Sequence, residues 1–180
     1  MKPVAATRYD DVAMGLHWLI ALLLIPMLFF GEEMIDAGKH HGNPLLPSAH
    51  VSIGLLIFAL SVVRLAWRIA NPPPEWPNMH AWERVAARTV HVLFYVLLIG
   101  LPITGWLVFP EFAREKELIG VTLFGLWPLP SAPNLGLPAE EMHKLGANIG
   151  IALLVLHVAA ALKHQFVNRD GTLRRMLPSR

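Results

Sequence analysis

Cysteine is missing from all 180 residues of the chain. Without a thiol there are no structural disulfides, thiolate-bound metals or iron–sulfur clusters, and no covalent haem attachment through a CxxCH motif. Charge is nearly as scarce. Asp, Glu, Lys and Arg make up 16% of the residues, where soluble domains carry about 25%. The formal net charge of +2 is too small to point to a nucleic-acid partner. No internal repeat or low-complexity tract interrupts the chain. Apolar residues dominate instead, at 54% with a mean hydropathy of +0.48, the balance expected of a lipid-embedded protein. Any cofactor must be held without sulfur, and nine histidines are the ligands that remain.

Four apolar stretches are long enough for helices that cross about 30 Å of hydrocarbon, which takes roughly 20 residues. They predict one all-α, integral membrane four-helix bundle over 1–180, with spans at about 12–34, 48–70, 83–109 and 140–167. The expected loops are rich in proline and glycine. The first, 31–47, holds Gly31, Gly38, Gly42, Pro44 and Pro47. The second holds Asn71-Pro72-Pro73-Pro74 and Pro77, which cannot continue a helix. The longest, about 110–139, holds five prolines, and its Trp127 suits the headgroup level. The first span contains His17 and is followed by no small-residue cleavage site, so it is expected to be retained.

Charge predicts the orientation. With both termini on one side, eleven of the fifteen Lys and Arg residues fall there. Lys39, Arg114, Lys116 and Lys144 fall on the other, with eight of the acidic residues. The positive-inside rule therefore predicts cytoplasmic N and C termini.

An ionisable group inside a span is costly and calls for a partner or a purpose. His17, His50, His91, His143 and His157 lie within or at the edge of spans, in two layers. His143 and His157 are 14 residues apart on the fourth helix. That interval is about 40° short of four turns and about 21 Å long, so both face one way at different depths. His50 is level with His143, and His17 with His157. Two opposed pairs follow, and bis-histidine ligation suits an electron-transfer haem. His91 enters at the cytoplasmic level too, so depth alone leaves it as an alternative to His17. Gly54, Gly146 and Gly150 offer a small surface for a porphyrin, although Gly146-xxx-Gly150 also suits plain helix packing. Arg64, 14 residues after His50, stands where a guanidinium could pair with haem propionates or anchor the helix at the cytoplasmic face.

These pieces together resemble the bacterial cytochrome b561 family, in particular its diheme superoxide:ubiquinone oxidoreductase form. The resemblance runs through His17-Trp18, His50 with Gly54, Val63-Arg64-Leu65, His91, Leu101-Pro102-Ile103-Thr104-Gly105, and His143 through Gly146 to His157 and His164. It ends on Leu173-Arg174-Arg175-Met176-Leu177-Pro178 and covers most of the chain outside the first and third loops. Gln165 stands where a second histidine often follows in the family.

The resemblance implies two non-covalent haem b groups, with iron held by His17 and His157 on the cytoplasmic side and by His50 and His143 on the periplasmic side. His91 and His164 are expected to line a ubiquinone pocket, where imidazoles can hydrogen-bond carbonyl oxygens and relay protons. The implied protein sits in the bacterial inner membrane and moves electrons from superoxide, or another periplasmic donor, to ubiquinone. A basic funnel would steer superoxide, and its candidates are Lys39, His40, His41, Arg114, Lys116 and Lys144. The surplus of acidic residues on that side works against it. Two other readings are an electron-transfer subunit of a hydrogenase or other respiratory complex, and a histidine-lined metal or proton transporter without haem.

Overall fold

The computed structural model describes the backbone of residues 8–41, 44–74, 79–115 and 120–177, and their side chains apart from 39–41 and 110–115. Four long helices carry the fold: α1 (Asp11–His41), α2 (Leu45–Ala70), α3 (Ala81–Glu115) and α4 (Ala139–Lys163). Each contains a stretch long and apolar enough to cross a membrane. The expected all-α four-helix architecture is what is observed.

The helices run past the loops that proline and glycine suggested. α1 continues through Gly31 and Gly38 to His41, and α3 continues through Pro110 to Glu115. A glycine costs a helix only about 1 kcal/mol against alanine, and adding a residue to an existing helix is far cheaper than nucleating one. Pro47 falls in the first turn of α2, where its missing N–H interrupts no ladder bond. Between α3 and α4 a small hairpin forms from β1 (Thr122–Leu123) and β2 (Trp127–Pro128). Its turn puts both Phe124 (φ 52°) and Gly125 (φ 71°) in the left-handed region, as tight hairpin turns require.

The hairpin docks on α2 through two serines. The buried Ser48 and Ser52 hydroxyls accept the backbone N–H groups of Thr122 (3.0 Å) and Phe124 (2.8 Å). Ser52 in turn donates to the Ser48 carbonyl at 2.6 Å. These bonds hold the strained Phe124 and offset its backbone cost.

α1 packs on α2, α2 on α3, α3 on α4, and α4 closes back on α1. The centre of this ring is a small apolar cluster of Ile20, Ile57 and Leu98, packed by Leu24, Met27, Ile53 and Phe94. Large apolar side chains such as Leu22, Ile69, Val96 and Val155 point outward and are more than half exposed, which suits a hydrocarbon surround rather than water.

The first and last described residues, Arg8 and Leu177, lie together at one end of the bundle. Tyr9 N–H donates to the Arg175 carbonyl, Arg8 to the Leu177 carbonyl, and Trp18 Nε1–H to the Met176 carbonyl at 2.7 Å. Trp67 Nε1–H donates to Asp10 at 2.9 Å. This is the terminal end of the bundle; the hairpin marks the other, the loop end.

Candidate functional site

The apolar cluster separates two polar layers, and the same interval recurs on all four helices. His17 and Gly31 on α1, His50 and Arg64 on α2, His91 and Gly105 on α3, and His143 and His157 on α4 are each 14 residues apart. In a left-handed bundle a seven-residue repeat stays on the inner face, so two heptads return to it about 21 Å further along. Sequence reasoning found the interval on α2 and α4. On α1 and α3 its second member is a glycine, which carries no chemistry of its own and drew no attention as a site residue.

At the loop end His50 and His143 face each other, with ring centres 6.2 Å apart. The two glycines make room for them. A Cβ on Gly31 would stand 3.1 Å from His50 Cε1, and one on Gly105 would stand 3.0 Å from His143 Cε1. The imidazole of His143 is also held from one side. Its Nδ1 lies 3.0 Å from the Leu101 carbonyl and 3.2 Å from Thr104 Oγ1, which itself donates to that carbonyl at 2.9 Å. A carbonyl only accepts, so Nδ1 carries the proton and Nε2 keeps its lone pair for a metal. The Leu101-Pro102-Ile103-Thr104-Gly105 run thus supplies an anchor, a hydroxyl and a space for one histidine.

At the terminal end three histidines converge. The His157 ring centre is 6.1 Å from that of His17 and 6.0 Å from that of His91. Phe94 packs edge-on against His157 at 5.5 Å, and Trp18 against His17 at 5.2 Å. Arg64 reaches this layer from α2. Its guanidinium donates to the Ala13 carbonyl at 2.7 Å, with the Tyr95 side chain beside it. It therefore points into the bundle rather than out to the headgroups. His164, the other expected quinone residue, is not an exposed interfacial group: it is 7% exposed and engaged by Asp170.

The expected small surface divides. Gly146 and Gly150 are packed closely by other helices: a Cβ there would meet Leu101 at 2.8 Å and Leu28 at 3.1 Å. At that pair the missing side chains let the neighbouring helices approach closely. Half-buried Gly54 and Gly100, by contrast, have nothing within 4 Å of a Cβ. Among the funnel candidates, Lys39, His40, His41, Arg114 and Lys116 lie outside the described side chains. Lys144 is described, and its Nζ is ion-paired with Glu140 at 2.6 Å.

The residues present fit haem. An iron bonded at about 2.0 Å to one nitrogen of each of two imidazoles holds their ring centres roughly 6.3 Å apart. The facing pairs, at 6.0–6.2 Å, meet that spacing. Among the described residues no group of three or more His, Asp or Glu could hold a bare metal ion. Paired imidazoles with a porphyrin filling the remaining positions suit this donor set better than a protein-only metal site.

Comparison with known proteins agrees. The model of the family described as prokaryotic cytochrome b561 matches residues 8–179. "Cytochrome b561 homolog 2" of Escherichia coli (strain K12) is 33% identical over 176 residues, covering 94% of this chain and 91% of the relative. "Probable superoxide oxidase CybB" of Yersinia pestis is 30% identical over 177 residues, covering 96% and 97%. "Cytochrome b562" of Cereibacter sphaeroides is 29% identical, covering 96% of each. Facing imidazoles in a lipid-exposed helix bundle are what a membrane electron carrier with haem b requires, and with these matches over nearly its whole length the chain belongs to the prokaryotic cytochrome b561 family of bacterial membrane electron-transfer proteins.

Proposed function

We propose that the protein is a diheme b-type cytochrome of the inner membrane that carries electrons from superoxide at the periplasmic loop end to ubiquinone at the cytoplasmic terminal end. The observation that carries this reading is the pair of histidine layers, about 21 Å apart along the helices, each closing to the ring spacing an iron needs. The Yersinia pestis relative's name supports superoxide as the donor. The bias of Lys and Arg toward the terminal end supports cytoplasmic termini.

Bound haem supplies a one-electron redox couple at each layer. The chain does the rest. His50 and His143 hold the loop-end group, with Leu101 fixing the His143 tautomer. His157 holds the terminal-end group with His17, in keeping with the family resemblance, while His91 faces the same ring from α3. Arg64 offers a cation to the propionates of that group. His91 and His164 serve the quinone. Two superoxide anions give two O2 and two electrons, and one ubiquinone takes those electrons with two protons to become ubiquinol.

The test is stopped-flow mixing of the holoprotein with superoxide and ubiquinone. Haem reduction followed by quinol formation is expected. Absence of both would remove the superoxide assignment and leave the cytochrome. One observation favours a second reading, an electron-transfer subunit of a respiratory complex: the described funnel lysine, Lys144, is paired with Glu140 and offers little free charge to steer an anion. Stable co-purification with a catalytic subunit, together with no superoxide consumption by the isolated chain, would select it.

A further inference from the structure

The terminal end holds a buried ionisable pair outside the facing histidines. α4 finishes in a single wide π turn, His164–Asn168, after which Arg169 adopts a left-handed conformation (φ 53°). The turn brings Asp170 back onto the helix. Its Oδ2 lies 2.5 Å from His164 Nδ1, and its Oδ1 accepts the Thr172 N–H at 3.0 Å. Both partners are nearly buried, with side chains 9% and 12% exposed.

The protonation of the pair follows from the partners. Burial pushes the Asp170 carboxyl up, but the bonds from Thr172 and His164 outweigh it and hold it down at about 2. As a carboxylate it only accepts, so the proton between them belongs to Nδ1. The Asn168 amide nitrogen is placed 3.2 Å from the same Nδ1; with the proton on Nδ1, the amide assignment reverses so that its oxygen accepts. Nε2 is the ring nitrogen that Asp170 does not engage. Asp170 also lines a cavity of about 650 Å³ together with Glu83, Lys163, Asn168 and Arg169. The carboxylate thus faces the cavity on one side and the buried imidazole on the other.

The other charged side chains lining the cavity have partners of their own. The buried Glu83 of α3 binds Lys163 at 2.6 Å and accepts the His80 N–H at 3.1 Å. Lys163 also lies over the Trp82 ring, 5.4 Å from its centre. Arg169 donates to the Phe166 carbonyl. The carboxylate in contact with His164 is that of Asp170.

We propose that Asp170 and His164 form the proton-delivery pair for quinone reduction, with Asp170 as the positioning residue. Asp170 holds the imidazole with its proton on Nδ1 and stabilises the imidazolium, much as a buried carboxylate does for a general-base histidine. The imidazolium gives its Nε2 proton to a quinone oxygen and is reprotonated from solvent entering the cavity. Two such transfers accompany the two electrons of each quinol. The proposal rests on quinone being the acceptor at this end.

The test compares wild-type and Asp170→Asn holoprotein, reconstituted in lipid, pre-reduced with stoichiometric dithionite and mixed with ubiquinone-1. Haem oxidation at saturating quinone should slow about tenfold or more, with the half-saturating quinone concentration unchanged and a larger solvent deuterium isotope effect. Asp170→Glu should recover most of the rate. In the wild type, 15N spectra of labelled histidine should place the neutral-state proton of His164 on Nδ1, a readout that needs no variant. An unchanged rate and isotope effect in Asp170→Asn, or a proton found on Nε2, overturns the pair and leaves quinone as acceptor. If reduced wild-type protein is not oxidised by quinone at all, the acceptor reading fails and the pair falls with it.

Discussion

The two ends of the bundle solve the same problem with different amounts of freedom. At the loop end two histidines face each other from α2 and α4, and α1 and α3 withdraw to glycines so that the rings fit. One ring is also locked by a carbonyl and a threonine. At the terminal end all four helices contribute a polar residue to the equivalent layer, and His157 has two imidazole neighbours at almost equal distance. A closed pair specifies one arrangement. A crowded layer offers a third imidazole beside the facing pair, which suits the proposed quinone end.

The largest effect that tests this difference is haem loss. His143→Ala or His50→Ala should remove the loop-end haem and halve the total, read by the pyridine haemochrome method with the protein still in the membrane. Loss of neither haem breaks the pairing. Next, His17→Ala and His91→Ala should behave differently despite their equal distances from His157: the first empties the terminal site, the second retains both haems and slows quinol formation. If His91→Ala empties it instead, the ligand set at that end is reassigned.

Smaller effects probe the glycine cradle and the hairpin. Gly105→Val places a branched side chain where even a Cβ stands 3.0 Å from the His143 ring. Overpacking of this kind costs about 1–3 kcal/mol, so the variant should unfold at lower temperature and shift the loop-end haem spectrum. The same change at Gly100, which has open space beside it, should cost less. Ser52→Ala leaves the Phe124 N–H without its acceptor, a loss of about 1 kcal/mol. Faster proteolysis of the hairpin with unchanged haem content is the expected result.

The smallest effect concerns acid. Asp170 is held below its ordinary value of 3.8, at about 2, in the folded chain. A depressed folded pKa gives stability that is fully present above the unfolded value and lost as pH falls through the folded one. Anchoring of residues 170–177 should therefore be constant from neutral pH down to about 4 and weaken between about 4 and 2. Limited proteolysis of the reconstituted protein with an acid-active protease checks that window, and Asp170→Asn should flatten it.

Much of this was legible in the chain because it depends on composition and period. Hydrophobic length alone determines that four helices cross the membrane, since a segment too apolar for water and too short of charge has no other place. The heptad-compatible interval between His143 and His157 determines two depths on one face, whatever packs against them. The absence of cysteine leaves imidazole as the ligand.

What only the tertiary structure decided involves partners on other elements. Gly31 and Gly105 read as loop punctuation and part of a motif until the rings of His50 and His143 are seen pressing on them. Gly146 and Gly150 read as a small surface until Leu101 and Leu28 from other helices are seen packed against them. Ser48 and Ser52 are unremarkable helix serines until a hairpin more than 70 residues away presents its N–H groups. His164 is one interfacial histidine among nine until a π turn folds Asp170 onto it. A linear period reports direction and depth along one helix; which atom lies across the gap is a matter of how helices approach each other, and that is set by packing.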